Sequence, residues 1–188
     1  SIAVALPIIS AMRIQCCPLP TAIFSDHTGF DSFYMTDFTE HMEPYAEEWA
    51  KLDLHFNGIA TGFLGSIRQI DIVENFLRRF DREDTTVLVD PVMGDYGTLY
   101  PTYTQELAKN MPRLVRYADI LTPNLTEASV LTETEYNPLP KESELLAMCR
   151  QLSEMGPKKI VISGLDYGDT LGNFIYEKDK PYQLLKVS

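Results

Sequence analysis

The feature that most constrains this chain is a recurring alternation. Short apolar runs of strand length, "GIATGF" (58–63), "TVLV" (86–89), "ADILT" (118–122) and "KKIVIS" (158–163), are separated by segments whose apolar residues keep helical spacing. "CCPLPTAIF" (16–24) belongs to the same series of strand-like runs. Short runs of this kind bounded by turn residues suit strands covered on both faces. In "SIRQIDIVENFLRRF", Ile67, Ile70, Val73, Phe76, Leu77 and Phe80 form one face, and Ser66 with Gln69 has the spacing of a capping box. In "KESELLAMCRQLSEMG", Leu145, Met148, Cys149, Leu152 and Met155 do the same, with Gly156 and Pro157 closing the helix. The alternation predicts an α/β fold with a mainly parallel central sheet flanked by helices on both faces.

Two segments depart from that rhythm. "GNFIYEKDKPYQLLKV", two alternating runs around a Lys-Asp-Lys-Pro turn, predicts a C-terminal β-hairpin. The opening "SIAVALPIISAM" predicts a core helix rather than a leader peptide, since no basic segment precedes it and Pro7 interrupts it. The sequence starts in a helix and stops at a strand, so further sequence is expected at both ends.

Bulk properties narrow the class. A length of 188 residues fits a single domain over 1–188. No stretch approaches the roughly 20 apolar residues of a membrane span. A net charge of -11 argues against nucleic-acid binding. Three cysteines, two of them adjacent at Cys16 and Cys17, make a poor disulfide framework and point to the reducing cytoplasm.

In open α/β sheets ligands bind beyond the carboxyl ends of the strands, so the residues that follow each strand are the candidates. After "TVLV" come Asp90 and Asp95 on either side of "PVMG". Two carboxylates at such a mouth suit a hydrated Mg²⁺ shared with phosphates; a loop-capping Asp90 beside an exposed Asp95 would look the same. In "ILTPNLTEASVL", either Thr122 or Asn124 can cap a helix, the latter with Glu127 three residues on, and the same residues can face a phosphate or the water shell of a metal. In "FSDHTGF", Phe24, His27 and Thr28 can stack on and hydrogen-bond a ring substrate, or be structural. "ATGF" offers Thr61, Gly62 and Phe63 to the same pocket or to the close of a strand. No GxxxxGK[ST], strand-borne GxGxxG, HExxH, CxxC or GxSxG motif occurs. A kinase built on Asp, Asn and Glu around Mg²⁺ stays open.

"VDPVMGD", "DILTPNLTEASVL", "GPKKIVISG" and "FSDHTG" together resemble the ribokinase-like superfamily, and within it the bacterial pyridoxal (pyridoxine/pyridoxamine) kinase family. The resemblance runs over essentially the whole chain. "DPVMGD" and "TPN" are shared with the hydroxymethylpyrimidine kinases of thiamine synthesis, so they mark the superfamily more than the substrate. The resemblance implies ATP-dependent phosphorylation of the 5′-hydroxymethyl group of a pyridine in vitamin B6 salvage, by a cytoplasmic homodimer with a three-layer fold. By position it implies that Asp90, Asp95, Tyr100, Thr122, Asn124, Glu127 and Ser163 bind ATP, that Asp95 and Glu127 hold Mg²⁺, and that a monovalent cation such as K⁺ lies near Thr122 and Ser163. Phe24, His27, Thr28 and Phe63 would meet the pyridine, Phe63 where relatives often have a tyrosine. Tyr100 would belong to a short flap over ATP. The resemblance also places the first strand before Ser1 and a Gly-x-Gly-Asp segment, with the general-base Asp, beyond Ser188. If the span were the whole molecule, it would be a nucleotide- or vitamer-binding module without transfer activity.

Overall fold

A computed structural model describes residues 2–26 and 29–187. In chain order its elements are α1 (Ile2–Ala11), β1 (Ala22–Phe24), β2 (Met35–Asp37), α2 (Thr39–Lys51), β3 (Gly58–Ala60), α3 (Ile67–Phe80), β4 (Thr86–Val89), β5 (Gly94–Asp95), β6 (Thr98–Leu99), α4 (Gln105–Asn110), α5 (Pro112–Val115), β7 (Ile120–Leu121), α6 (Leu125–Leu131), α7 (Glu142–Glu154), β8 (Lys159–Asp166), β9 (Leu171–Glu177) and β10 (Gln183–Val187).

The apolar runs lie side by side. One six-stranded sheet has the order β10-β9-β8-β7-β4-β3. Strands β3, β4, β7 and β8 are parallel, with Gly58 opposite Thr86, Leu88 opposite Ile120, and Ile120 opposite Lys159. Val87, Val89, Leu121, Ile160 and Ile162 are wholly buried, as the mixed cover of helices over a parallel sheet requires. Strand β8 outlasts its parallel partner β7 and, along its whole length, pairs on its other edge antiparallel with β9, which pairs with β10 as the expected hairpin. The ladder slips between Ile162 and Leu165, a bulge at Ser163–Gly164 where Gly164 takes φ +68°. The expected α/β architecture is therefore present, with an antiparallel edge on the parallel core.

Two local expectations need correction. The opening segment is a helix but not a core helix: α1 buries none of its residues, and Val4 and Ile8 are 62% and 56% exposed. A helix apolar on all sides reads as buried, yet no described element covers this one. In "CCPLPTAIF" only Ala22–Phe24 is a strand, and it pairs antiparallel with β2 in a separate two-stranded sheet. Pro18 and Pro20 lack the N–H groups that a longer ladder would use.

Helix α3 starts where its sequence predicts. Ser66 caps it by accepting from Gln69 N at 3.2 Å. Gln69 does not return the bond to Ser66; its side chain is buried and reaches elsewhere. Further along, Glu74 is 3% exposed and forms ion pairs with Arg78, Arg113 and Arg116, tying α3 to α5. Burial opposes its charge, but Arg113 and then Arg78 and Arg116 outweigh it and hold the carboxyl below the usual range. Among the described residues no helix is long and apolar enough to cross a membrane.

Candidate active site

Parallel pairing sets the carboxyl ends of β3, β4, β7 and β8 along one edge. Thr122 N donates to Val89 O at 3.0 Å, Ser163 N donates to Pro123 O at 2.9 Å, and Asn124 forms an isolated parallel bridge with Ser163. The residues just beyond three strands are thereby stitched together: Asp90 after β4, Thr122 to Asn124 after β7, and Ser163 on β8. Of the two caps the sequence allows, the helix takes the second. Asn124 Oδ1 accepts from Glu127 N at 2.9 Å, and Glu127 Oε2 accepts from Asn124 N at 2.8 Å, a full capping box.

The same box reaches across to the strand that carries the acids. Glu127 Oε1 accepts from Met93 N at 3.0 Å, and Asn124 Nδ2 donates to Gly94 O at 2.7 Å. The capped helix start is thus pressed against the Asp90–Asp95 segment. Burial pushes the Glu127 carboxyl up to about 7, against the pull of backbone N–H groups from Asn124, Met93 and Gly94, and the charge of Asp90 raises it further. Burial likewise pushes Asp90 up to about 6. Burial disfavours the charged form of both carboxyls, and the charge of Asp90 adds to the shift of Glu127, so the site favours positive charge.

Between Asp90 and the next helix the chain folds into a small hairpin of β5 and β6 with Tyr96 and Gly97 at its turn, both at positive φ. Gly97 N donates to Thr126 Oγ1 at 2.9 Å, and a Cβ on Gly97 would lie 2.7 Å from the Tyr136 ring. The hairpin occupies the segment where the resemblance expects a short flap, and it is tied to α6 through Gly94 on β5 and through Gly97 at the turn. Asp95 sits exposed on it and accepts from Tyr96 N at 2.8 Å. Tyr100 follows it, half-buried, its phenol raised first by burial and then by the charges of Asp95, Glu127 and Asp90. Tyr100 therefore marks a point close to all three acids.

A second group of residues lies beside the first. Thr61 N donates to Leu88 O at 2.9 Å, so the chain leaving β3 runs along β4 toward Phe63. Phe63 meets Phe24 edge-on, with ring centroids 5.4 Å apart, and Phe24 also touches Phe33 at 5.8 Å. The structure thus brings the predicted Phe24 and Phe63 together from sequence positions far apart. His27 and Thr28 lie outside the described residues.

The carboxylates of Asp90, Asp95 and Glu127 offer oxygen ligands, which fits a hard divalent cation. Among the described residues, however, no group of three or more His, Cys, Asp or Glu side chains is arranged to hold a metal unaided. A cation there would draw the remaining oxygens from water or from a phosphate-bearing ligand, as Mg²⁺ commonly does. Sequence reasoning missed Thr126, Tyr136 and Phe33, which act through position alone. It also missed Tyr103, whose buried hydroxyl finds no partner among the described residues.

The phosphomethylpyrimidine kinase family profile matches residues 6–187. The chain belongs to that family. A pyridoxal kinase of Arabidopsis thaliana is 30% identical over 165 residues, covering 82% of this chain and 50% of that protein. A hydroxymethylpyrimidine/phosphomethylpyrimidine kinase of Salmonella typhimurium is 30% identical over 167 residues, 85% of this chain and 58% of that protein. Among solved structures, a Bacteroides thetaiotaomicron protein assigned to the phosphomethylpyrimidine kinases, in a crystal form with pyridoxal, superposes with a TM-score of 0.94 at 38% identity. That match covers 99% of this chain and 66% of the other. The chain thus has the fold and the sequence of a family of vitamin-related kinases, and it spans between half and two thirds of these relatives' lengths.

Proposed function

We propose that this chain is the larger part of a kinase that transfers the γ-phosphoryl group of ATP to the 5′-hydroxymethyl oxygen of pyridoxal, pyridoxine or pyridoxamine. The observation that carries the reading is the adjacency of two unlike walls. Phe63, packed against Phe24 at the end of β1, follows β3, and the acidic segment follows the neighbouring β4. Aromatic edges and faces suit a planar heterocycle, and the acidic, oxygen-lined end suits a phosphate-bound cation. The crystal form of the Bacteroides relative with pyridoxal supports this substrate class.

In this proposal Asp90, Asp95, Thr122, Asn124, Glu127, Ser163 and Tyr100 face the nucleotide phosphates, with the flap over ATP. Asp95 and Glu127 are the residues that would hold Mg²⁺, Glu127 through the lone pairs its backbone donors leave free. A bound Mg²⁺ supplies the charge neutralisation that phosphoryl transfer needs. The chain's own contribution is alignment: the pinned flap and the capping box fix the oxygen donors, and the ring pair sets the hydroxymethyl group toward them. As the bond between the β–γ bridging oxygen and the γ-phosphorus breaks, the hydroxymethyl oxygen bonds to that phosphorus, its proton passes to a general base, and ADP leaves. We assign that base to an Asp beyond Ser188. A K⁺ beside Thr122 and Ser163, a homodimer, and a cytoplasmic location that suits three free thiols complete the proposal.

The family match and the Salmonella relative favour a second reading, phosphorylation of hydroxymethylpyrimidine. An ATP-consumption assay on the complete protein separates the two. Turnover that depends on a pyridoxal-type vitamer is the expected result; turnover with hydroxymethylpyrimidine alone overturns the vitamer assignment, and nucleotide binding without turnover of either leaves a binding module.

A further inference from the structure

Outside the acid cluster, the most heavily committed polar side chain in the described residues near the ring pair is Gln69, 1% exposed at the start of α3. Its Oε1 accepts from Gly65 N at 2.7 Å. Its Nε2 donates to Thr21 O at 2.8 Å and Thr39 Oγ1 at 2.9 Å, with Asp37 Oδ1 at 3.2 Å. Gly65 N can only donate and Thr21 O can only accept, so the orientation of the amide is fixed by its partners. One side chain thus ties together four places: the entry to β1, the exit of β2, the start of α2, and the loop that carries Phe63.

That set of partners matters because of what lies on each. Thr21 immediately precedes the strand of Phe24, and its own Oγ1 donates to Phe63 O at 2.7 Å. Asp37 ends β2, the antiparallel partner that places Met35 opposite Phe24. Gly65 follows Phe63 by two residues, with the Phe63 ring 3.6 Å from where a Gly65 Cβ would stand. Among the described residues the two-stranded sheet shares no ladder with the central sheet, so its placement depends on such side-chain ties. We propose that Gln69 is the positioning residue of the ring-binding wall: its amide sets the spacing of Phe24 and Phe63, and through them the affinity for the heterocyclic alcohol. Gln69 touches no substrate in this account. The inference rests on the proposed function for the identity of that alcohol, but not for the existence of the clamp.

The test uses the complete protein with Gln69→Leu, which keeps the bulk and loses every bond, and Gln69→Glu, which keeps the acceptor for Gly65 N and sets an anion against Thr21 O and Asp37. Thr21→Val, which removes only the tie to Phe63 O, is the milder companion. Steady-state kinetics should show the KM for the ring alcohol raised about tenfold or more in both Gln69 variants and by less in Thr21→Val, with the KM for ATP unchanged and kcat lowered less than about threefold. Amide exchange should quicken across 22–24 and 35–37 while 86–89 and 120–121 keep wild-type protection. Variants that fold and show an unchanged KM for the alcohol, or that lose kcat and both KM values together, overturn the proposal. If the wild type accepts the pyrimidine and not the vitamer, the substrate reading fails while the same split is expected with the pyrimidine. If it accepts neither, unchanged exchange in 22–24 and 35–37 alone overturns the clamp.

Discussion

Asn124 and Glu127 hold each other by reciprocal side-chain-to-backbone bonds of 2.9 and 2.8 Å, and the same Glu127 carboxylate takes Met93 N from the acidic strand end. This arrangement stores an electrostatic cost, because burial raises Glu127 to about 7. A carboxyl raised on folding makes the folded state bind protons more tightly than the unfolded one. Its contribution therefore improves as pH falls from about 7 toward the unfolded value of about 4.5. Glu74 works with the opposite sign: its lowered carboxyl stabilises above about 4.5, and that contribution is lost as pH falls through its folded value. Without nucleotide or metal, the melting temperature should peak near about pH 5 and decline toward pH 8. Glu127→Gln should flatten the decline to the part that Asp90, raised to about 6, supplies. A scan of melting temperature from pH 4 to 8 checks both; a decline of wild-type slope in the variant would remove Glu127 as its source.

Asp95 stands on the flap with its side chain exposed and bonded only to the neighbouring Tyr96 N. Nothing in the core depends on it. Asp95→Asn in the complete protein should leave the melting temperature within about 1 °C of wild type, since surface changes away from special features cost little. It should depress kcat about tenfold or more with a smaller change in the KM for the vitamer, because its proposed partner is the metal-phosphate group. Unchanged turnover would take Asp95 out of the site.

The central sheet was legible in the sequence because its strands are apolar runs bounded by turn residues, with Val87, Val89, Ile160 and Ile162 wholly buried on one face and Leu88 and Val161 half-buried on the other. The capped start of α6 was legible because Asn124 and Glu127 are local partners. The ring wall was only half legible: "FSDHTGF" and "ATGF" could be named, but nothing in their spacing reveals that Phe24 meets Phe63, or that Phe33 joins them. Gln69 shows why. A Ser-x-x-Gln pattern predicts a bond back to the Ser66 amide, whereas tertiary packing presents Gly65 N, Thr21 O and Thr39 Oγ1 to the side chain instead. Helix α1 misled for the converse reason, since an apolar sequence states what a helix would bury and not whether a described neighbour covers it.

Gly94 is the tightest point of the flap. A Cβ there would fall 2.1 Å from Thr98 O and 2.8 Å from Leu99 Cα, both backbone atoms of the facing strand. Gly94→Ala must therefore part β5 from β6 and pull Gly94 O away from Asn124 Nδ2. The KM for ATP should rise about tenfold, with the KM for the vitamer changing less than about twofold. An unchanged KM for ATP in the folded variant would separate the flap from nucleotide binding.

Phe63 tests the ring wall directly. Its edge-on contact with Phe24 leaves the two rings inclined at 75°, a geometry that aromatic pairs favour and that depends on the ring rather than its para position. Phe63→Tyr should keep the pair and bind the vitamer within about threefold of wild type. Phe63→Ala removes both the contact and a large apolar surface, and truncation of a buried aromatic costs about 3 kcal/mol or more where it is fully enclosed. Phe63 is only half-buried, so about half that cost is expected in stability. The KM for the vitamer should rise about a hundredfold against a modest fall in kcat, since a ring wall binds ground and transition states alike. Measuring both KM values in the two variants decides the point. A vitamer KM that follows Phe63→Ala no more than the ATP KM does would place the heterocycle away from the Phe24–Phe63 pair.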